Sequence, residues 1–232
     1  DDSSGAIVNY GHITNWDVSQ VTDMNNLFAD QSLFNEDITS WDVSSVTNMY
    51  SMFQNATSFN QPLNSWNVSS VTAFSNMFRN SPFNQNISSW DVSSATTMAG
   101  MFRNNSSFNQ PLNSWNVSSA TAMHYMFELS SFNQPLNNWD VSKVSDMQFM
   151  FAYADAFDQD INDWNVSSVT NMYGVFRNTT VFNQPLDKWD VSSVKKMQAM
   201  FAYADAFDQD ISSWNVFSVT NMINMFYIAE NF

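Results

Sequence analysis

The chain contains no cysteine, only four glycines and only seven Lys and Arg residues among its 232 residues. Without cysteine the fold cannot depend on disulfides or on thiolate metal sites. The seven basic residues face 22 Asp and Glu residues, for a net charge of −15, so we expect no binding to nucleic acid. No apolar run approaches the roughly 18 residues of a membrane span, so we expect no direct membrane insertion.

Aromatic residues, in contrast, are abundant at 16% of the chain, and the tryptophans are regularly spaced. All nine recur at intervals of 24 or 25 residues, which chance does not produce. A fixed period of this length indicates a tandem-repeat protein, in which each unit buries the apolar side of its neighbours. The tryptophans of this column are Trp16, Trp41, Trp66, Trp90, Trp115, Trp139, Trp164, Trp189 and Trp214.

Two shorter periods occur inside each repeat unit. Trp41 and Val43 alternate with polar residues, which is typical of a short strand. Met49, Met52 and Phe53 follow the i, i+3, i+4 spacing of one helical face. The sequence therefore predicts an α/β repeat solenoid, leucine-rich-repeat-like and right-handed, with about nine coils of 24–25 residues. Each coil would contain a short parallel strand and a short helical or 3-10 segment.

We predict one solenoid domain over residues 1–232. Residues 1–12 do not fit the repeat and are interpreted as an irregular first coil or a partial N-terminal cap, followed by tandem repeats over 13–232. The segment from Phe151 to Ile161 recurs unchanged from Phe201 to Ile211. This copy indicates duplication of a pair of coils.

The repeat unit resembles a known family. Residues 59–72 read Phe-Asn-Gln-Pro-Leu-Asn-Ser-Trp-Asn-Val-Ser-Ser-Val-Thr and are followed by Asn-Met-Phe at 76–78. This pattern resembles the 25–26-residue surface repeat of mycoplasma and Listeria lipoproteins, a mycoplasma domain of unknown function. More loosely, it is similar to the BspA-like leucine-rich repeats. The resemblance covers residues 13–232 and implies a leucine-rich-repeat-like solenoid on a cell surface, with no assigned catalytic activity.

A search for catalytic chemistry finds no convergent cluster. His12 falls in the irregular first coil, and His124 falls at a variable position of the repeat. A catalytic triad or a metal centre would need fixed partners around such a residue. We therefore expect neither an enzyme nor a cofactor.

The position after each Trp holds Asp or Asn, and from Asp42 onward the two alternate strictly. Three interpretations remain open: a hydrogen-bonded Asp/Asn ladder, a row of Ca²⁺ sites, or a polar ligand groove. Interleaved Asn would separate the carboxylates, whereas Ca²⁺ would need their oxygens. The ladder would comprise Asp42, Asn67, Asp91, Asn116, Asp140, Asn165, Asp190 and Asn215, and the weak calcium candidates are Asp42, Asp91, Asp140 and Asp190.

The sequence also contains several Asn-x-Ser/Thr sequons, which a composition rich in Asn and Ser generates readily. In a secreted eukaryotic protein some of them would carry glycans. The candidate positions outside the Asp/Asn column are Asn55, Asn86, Asn104 and Asn178.

Together these features predict a non-enzymatic extracellular or cell-surface repeat protein that serves adhesion or surface presentation. Its partner would be a protein or glycan ligand at a surface. The alternative is a structural subunit that self-associates into a fibre, an appendage or a coat.

Overall fold

A computed structural model describes residues 11–232, which form nine coils stacked along one axis. Parallel bridges join one residue of each coil to the equivalent residue of the next coil. Coils 1 to 9 are numbered here by these bridge residues, which are Asp23, Asn48, Ala73, Thr97, Ala122, Asp146, Asn171, Lys196 and Asn221. The predicted irregular first coil or cap at 1–12 lies, except for Gly11 and His12, outside the described residues.

The predicted α/β, leucine-rich-repeat-like class, with a strand and a helical segment in every coil, is wrong. Within residues 11–232 the only helix is the 3-10 helix η1, Ile13–Asn15, and parallel pairing is limited to the isolated bridges. No helix in this part of the chain is long and apolar enough to cross a membrane.

The segment with helical spacing folds as consecutive β-turns. Met52 N donates to Met49 O at 3.2 Å, and Ala56 N donates to Phe53 O at 3.1 Å. The third residue of each turn has positive φ, 52° at Ser51 and 58° at Asn55, as in a type II turn. A right-handed helix cannot continue through such residues. Equivalent pairs of positive-φ residues occur in all nine described coils.

These turns leave alternate backbone N–H groups free to bond to the neighbouring coil. Met49, Ser51, Phe53 and Asn55 donate to the carbonyls of residues 73, 75, 77 and 79 at 2.9–3.0 Å. A fifth bond runs in the opposite direction, from Thr47 N to Thr22 O at 2.8 Å. The same five bonds recur between all successive coils of the described chain, so they account for the main-chain polar groups that an α-helix would have paired internally.

The predicted strand is too short to form because a turn bounds it on each side. Trp41 N donates to Ile38 O at 3.1 Å, and Val46 N donates to Val43 O at 2.9 Å. The alternation itself is real, since Trp41 and Val43 are buried and Asp42 is exposed. Alternating burial is therefore present at these residues, but they are not paired as a strand.

Two columns of phenylalanine form the centre of the stack and use 18 of the 21 phenylalanines. In each coil the two rings stack with centroids 3.8–4.2 Å apart, as Phe53 and Phe59 do at 3.9 Å. Between coils, Phe53 stacks on Phe78 at 5.7 Å and Phe59 on Phe83 at 6.2 Å. This core depends on contacts between coils, so no coil can bury its apolar residues alone.

The tryptophan column adds a hydrogen bond to this apolar contact. Trp66 Nε1 donates to Ile38 O at 3.2 Å, and Trp90 Nε1 donates to Leu63 O at 2.9 Å, in each case in the preceding coil. The six tryptophans from Trp90 to Trp214 make the same type of bond. A buried indole N–H needs such a partner, and phenylalanine could not provide the bond.

Candidate functional site

The Asp/Asn column after Trp forms its hydrogen bonds within coils rather than between them. Asp91 Oδ1 accepts from Ser93 N at 3.0 Å, and Asn116 Oδ1 accepts from Ser118 N at 3.2 Å. No hydrogen bond joins neighbouring members of the column within residues 11–232. The same local turn occurs at Asp42, Asn67, Asp140, Asn165, Asp190 and Asn215.

The carboxylates of this column are satisfied locally. Hydrogen bonds from the side chain and then the backbone of the serine two residues later lower the pKa of the Asp42, Asp91, Asp140 and Asp190 carboxyls. In the part of the chain that is described, no three His, Asp or Glu side chains come together where they could hold a metal ion. The proposal that this column binds Ca²⁺ therefore stays a hypothesis, and no arrangement of ligands in the described residues supports it.

A ladder between coils lies instead at the Asn of the Phe-Asn-Gln motif. Asn60 Oδ1 accepts from Asn84 N at 2.9 Å, and Asn84 Oδ1 accepts from Asn109 N at 3.1 Å. Gln85 Nε2 adds a bond to Asn60 O at 3.0 Å. This column was not among the predicted site residues, although Asn or Asp occupies every one of its positions in the sequence. Its members are Asn35, Asn60, Asn84, Asn109, Asn133, Asp158, Asn183 and Asp208.

The four candidate glycosylation sites lie in different environments. Asn55 Nδ2 donates to Asp30 Oδ1 at 2.6 Å, and Asn104 Nδ2 donates to Asn80 Oδ1 at 2.8 Å, so both amide nitrogens are already bonded. Asn178 is half-buried. Asn86 is exposed, as Asn104 is, and its Oδ1 accepts from Ser88 N at 2.9 Å, which leaves its amide nitrogen available.

The two histidines do not assemble a catalytic group. His12 Nε2 lies 3.5 Å from Glu36 Oε2, and His124 Nδ1 lies 3.8 Å from Asp146 Oδ2. The second distance is too long for a hydrogen bond. The two sites are separated by several coils, and each pairs one histidine with one carboxylate.

The surface of the consecutive turns, which we call the turn face, has an unusual composition. It contains all three arginines of the chain and all six tyrosines of residues 11–232, but only two acids, Asp30 and Glu128, of the 22 in the chain. Tyr and Arg are the residues most enriched at binding hot spots. The turn face consists of residues 25–30, 50–55, 75–80, 99–104, 124–129, 148–153, 173–178, 198–203 and 223–228.

The three arginines occupy one column of the turn face, at equivalent positions of coils 3, 4 and 7. Arg103 forms an ion pair through Nε with Glu128 Oε2 of coil 5, and its guanidinium lies 4.6 Å from the centre of the Tyr125 ring. Glu128 is only 7% exposed. Burial raises the pKa of its carboxyl, and Arg103 and Arg79 oppose that rise. Arg103 and Glu128 thus form a structural ion pair.

Arg177 has a different environment, on the wall of a cavity that spans coils 7, 8 and 9. The cavity has a volume of about 400 Å³, within the range of small-molecule sites. The buried side chains of Ala199 and Ala202 lie on it, surrounded by larger residues of the neighbouring coils. Its lining comprises Tyr173, Arg177, Gln198, Ala199, Ala202, Tyr203, Asn221, Ile223, Asn224 and Tyr227.

Two side-chain atoms of residues that line this cavity are buried and have no hydrogen-bond partner in residues 11–232. They are Arg177 Nε, a donor, and Gln198 Oε1, an acceptor. Arg177 takes part in none of the four ion pairs of the described chain, and its guanidinium lies 5.8 Å from the centre of the Tyr153 ring. Arg79 Nε of coil 3 is buried without a partner in the same way. The cavity is a candidate binding site because a guanidinium, side-chain amides and tyrosines line one hollow.

Comparison with known proteins identifies a family but no activity. A family profile described as "Mycoplasma protein of unknown function" matches residues 4–82, 79–164 and 128–232, which together cover almost the whole chain. No curated protein matches the chain at a significant level. The mycoplasma repeat that the sequence resembles is therefore confirmed, and the chain belongs to this family of mycoplasma proteins of unknown function.

Proposed function

We propose that the chain is a non-enzymatic binding module, extracellular or on a cell surface, that attaches to a protein or glycan ligand through its turn face. The observation that carries this proposal is the concentration of every described tyrosine and every arginine on that face. Tyrosine supplies a large contact area with few rotatable bonds, and serine and asparagine around it supply adaptable hydrogen bonds. Extracellular placement rests on the resemblance to surface repeats.

Contrast between the interior and the turn face supports a binding role. The core repeats the same residues from coil to coil, whereas the first position of the turn face changes every time. Stacked repeats with a uniform core and a variable face provide an extended binding surface. This position holds Asn25, Tyr50, Ser75, Ala99, His124, Gln148, Tyr173, Gln198 and Ile223.

Local charge also separates the turn face from the rest of the molecule. Of the 20 acids in residues 11–232, 18 lie outside the turn face, so a negatively charged cell surface would be repelled by the other faces. The turn face carries three arginines against two acids, one of which, Glu128, is already paired with Arg103. It is the side that an acidic or neutral ligand can approach.

Replacing the six tyrosines of the turn face with serine should abolish attachment to the ligands that the wild-type chain binds. Binding would be measured on an array of defined immobilised glycans and extracellular-matrix proteins. A matched control, Leu33→Ser with Val181→Ser, removes exposed apolar side chains outside the turn face and should bind like wild type. If the six-fold variant fails to fold, pairwise Tyr→Ser variants replace it. Equal binding by folded tyrosine variants and wild type would refute the proposal.

The alternative, a self-assembling structural subunit, has one observation in its favour. The serine that follows the Asp/Asn–Val pair in coils 1 to 8 is replaced in coil 9 by Phe217, which is 95% exposed. An exposed phenylalanine at a position otherwise held by serine suits an apolar contact between copies. Sedimentation at increasing concentration should then show association of the wild type that Phe217→Ser removes. A wild type that stays monomeric would rule this alternative out.

A further inference from the structure

We propose that the cavity of coils 7, 8 and 9 binds an acidic saccharide whose carboxylate pairs with Arg177. This inference rests on the proposed function, because it assigns a ligand class to one part of the turn face. The proposal rests on the shape of the cavity, its polar lining, its charge and its aromatic rings.

The copied segments of coils 6 and 8 differ at one residue, which lies at the hollow. Residues 147–161 and 197–211 are identical except that Phe149 of coil 6 corresponds to Ala199 of coil 8. Both residues have positive φ, 53° and 49°, so the backbone at the two positions is alike. The ring of Phe149 fills the space in coil 6 that Ala199 leaves open in coil 8. The duplication therefore contains both a closed and an open version of the same surface.

The filled version depends on glycine in the following coil. A Cβ at Gly174 would lie 2.4 Å from Phe149 Cε1, so a larger residue there would have to displace that ring. In coil 9 the equivalent position is Asn224, which lines the cavity together with Ala199. Phe149 with Gly174 closes the surface, and Ala199 with Asn224 opens it and adds an amide.

The polar atoms of the cavity suit a ligand that both accepts and donates hydrogen bonds. The Arg177 guanidinium can donate hydrogen bonds, and the Gln198 side-chain amide can both donate and accept. A carboxylate pairs well with a guanidinium, and a hydroxyl can donate to the amide oxygen. An acidic saccharide carries a carboxylate and several hydroxyls on one rigid ring. A peptide offers a carboxylate and backbone N–H donors on a flexible chain, so it is the competing class in the test. The amides of Asn221 and Asn224 provide further partners for ring hydroxyls.

The charge of the cavity selects an anion. No Asp or Glu lines it, and Arg177 is its single charged residue. Arg177, like Arg79 in coil 3, forms no ion pair with a carboxylate of the described residues. Acids elsewhere on the molecule repel an anion, so the cavity offers a local minimum for it.

The aromatic rings provide faces for the apolar side of a sugar ring. Tyr203 and Tyr227 lie with centroids 5.4 Å apart and ring planes at 86°, so they present a face and an edge at right angles. Tyr173, in coil 7, also lines the cavity. A tyrosine ring can pack against the apolar face of a sugar while its hydroxyl forms a hydrogen bond.

The test measures binding of sialyllactose and of digalacturonate, with lactose as the neutral comparison, by saturation-transfer NMR and titration. Wild type should bind at least one acidic sugar with a Kd of roughly 1 mM or tighter, and lactose about ten-fold more weakly. The double variant Ala199→Phe/Asn224→Gly installs the pair that closes the copied coil and should lose about ten-fold or more of the affinity. Asn224→Gly alone, which keeps the hollow but removes one amide, should lose clearly less affinity than the double variant.

Arg177 is tested separately. Arg177→Gln should lose the preference for the acidic sugar over lactose, and Arg177→Lys, which keeps the charge, should preserve it in part. Full affinity in the folded double variant, or failure of both acidic sugars to bind wild type, would overturn the assignment. Equal binding of a short peptide with a free carboxylate would overturn the saccharide class.

The two proposals fail in different ways. If neither acidic sugar binds but the tyrosine variants still lose attachment on the array, the saccharide site is wrong and the binding module stands. If the tyrosine variants attach like wild type, the proposed function is wrong whatever the cavity binds. A thermal melt of Ala199→Phe/Asn224→Gly close to that of wild type establishes that its effect is not unfolding.

Discussion

Replacing Trp115 with alanine is expected to lower the free energy of unfolding by about 3–5 kcal/mol. The side chain is 2% exposed and stacks on Trp90 with ring centroids 6.4 Å apart. Its Nε1 donates to Ile87 O of the preceding coil at 3.0 Å. Alanine would leave a cavity between two coils and a buried carbonyl without its partner. Urea unfolding followed by circular dichroism measures the loss.

Two control variants separate the contributions to this effect. Trp115→Phe keeps most of the apolar contact and should lose only the hydrogen bond, about 1 kcal/mol. Trp16→Ala, in coil 1 where Trp16 is 41% exposed, should cost markedly less than Trp115→Ala. A small effect of Trp115→Ala, similar to that of Trp16→Ala, would contradict the assignment of this column to the core.

Replacing Arg103 with alanine is expected to destabilise the chain by about 3 kcal/mol at neutral pH. The substitution would leave the carboxylate of Glu128, 7% exposed, without the guanidinium that now pairs with it. Arg79 also lowers the pKa of Glu128, but it contributes less than Arg103 does. Removing one partner of a buried pair costs more than removing both, because the remaining charge is desolvated and uncompensated.

This destabilisation should decrease as the pH falls. Burial raises the pKa of Glu128 in the folded chain above its usual value of 4.5, and loss of Arg103 raises it further. Between the unfolded and the folded pKa the folded state binds more protons, so stability increases as the pH decreases through that window. Below pH 4.5 the carboxyl is neutral in both states and the full gain is present.

The control is Glu128→Gln, which keeps the shape of the side chain and removes its ionisation. In the Arg103→Ala background it should restore stability at neutral pH and flatten the pH dependence between pH 4.5 and 7. Thermal melts of the four variants of this double-mutant cycle measure both effects. A pH profile of Arg103→Ala/Glu128→Gln as steep as that of Arg103→Ala would assign the titration to another group.

The core was predictable from the sequence because burial follows the 24–25-residue period. Trp, Val, Met and Phe recur at fixed offsets, and in the interior coils these columns are buried. The spacing of a repeat is a direct record of which side chains face the neighbouring coil. The period does not specify the path of the backbone, because several local conformations place the same residues inward.

The helical segment shows why the backbone was mispredicted. Met49, Met52 and Phe53 are buried as a helical face would be, yet consecutive type II turns give the same spacing. A signal for the turns was present in Asn26, Asn76, Gly100 and Gly174, residue types that favour positive φ. Ser51, Tyr125 and Phe149 at the same position obscured it, because such residues rarely adopt positive φ.

The turn face could be located only in part. The three arginines stand at one position of the repeat, which the sequence records, but whether that position is exposed depended on the backbone path. The cavity could not be predicted from the sequence, because it forms where Ala199, Arg177 and Tyr227 of three different coils come together. The difference between Phe149 of coil 6 and Ala199 of coil 8 can be read from the sequence, but its meaning is clear only once that position is known to border the cavity.

The sequence by itself determined the number of described coils, their apolar core and their family, because these depend on which residues recur and at what interval. Only the tertiary structure decided that backbone N–H groups pair with the next coil instead of within a helix or a strand. The physical reason is that a coil cannot satisfy its polar backbone alone. Stacking supplies partners at every second residue, which stabilises turn conformations that the local sequence would not select.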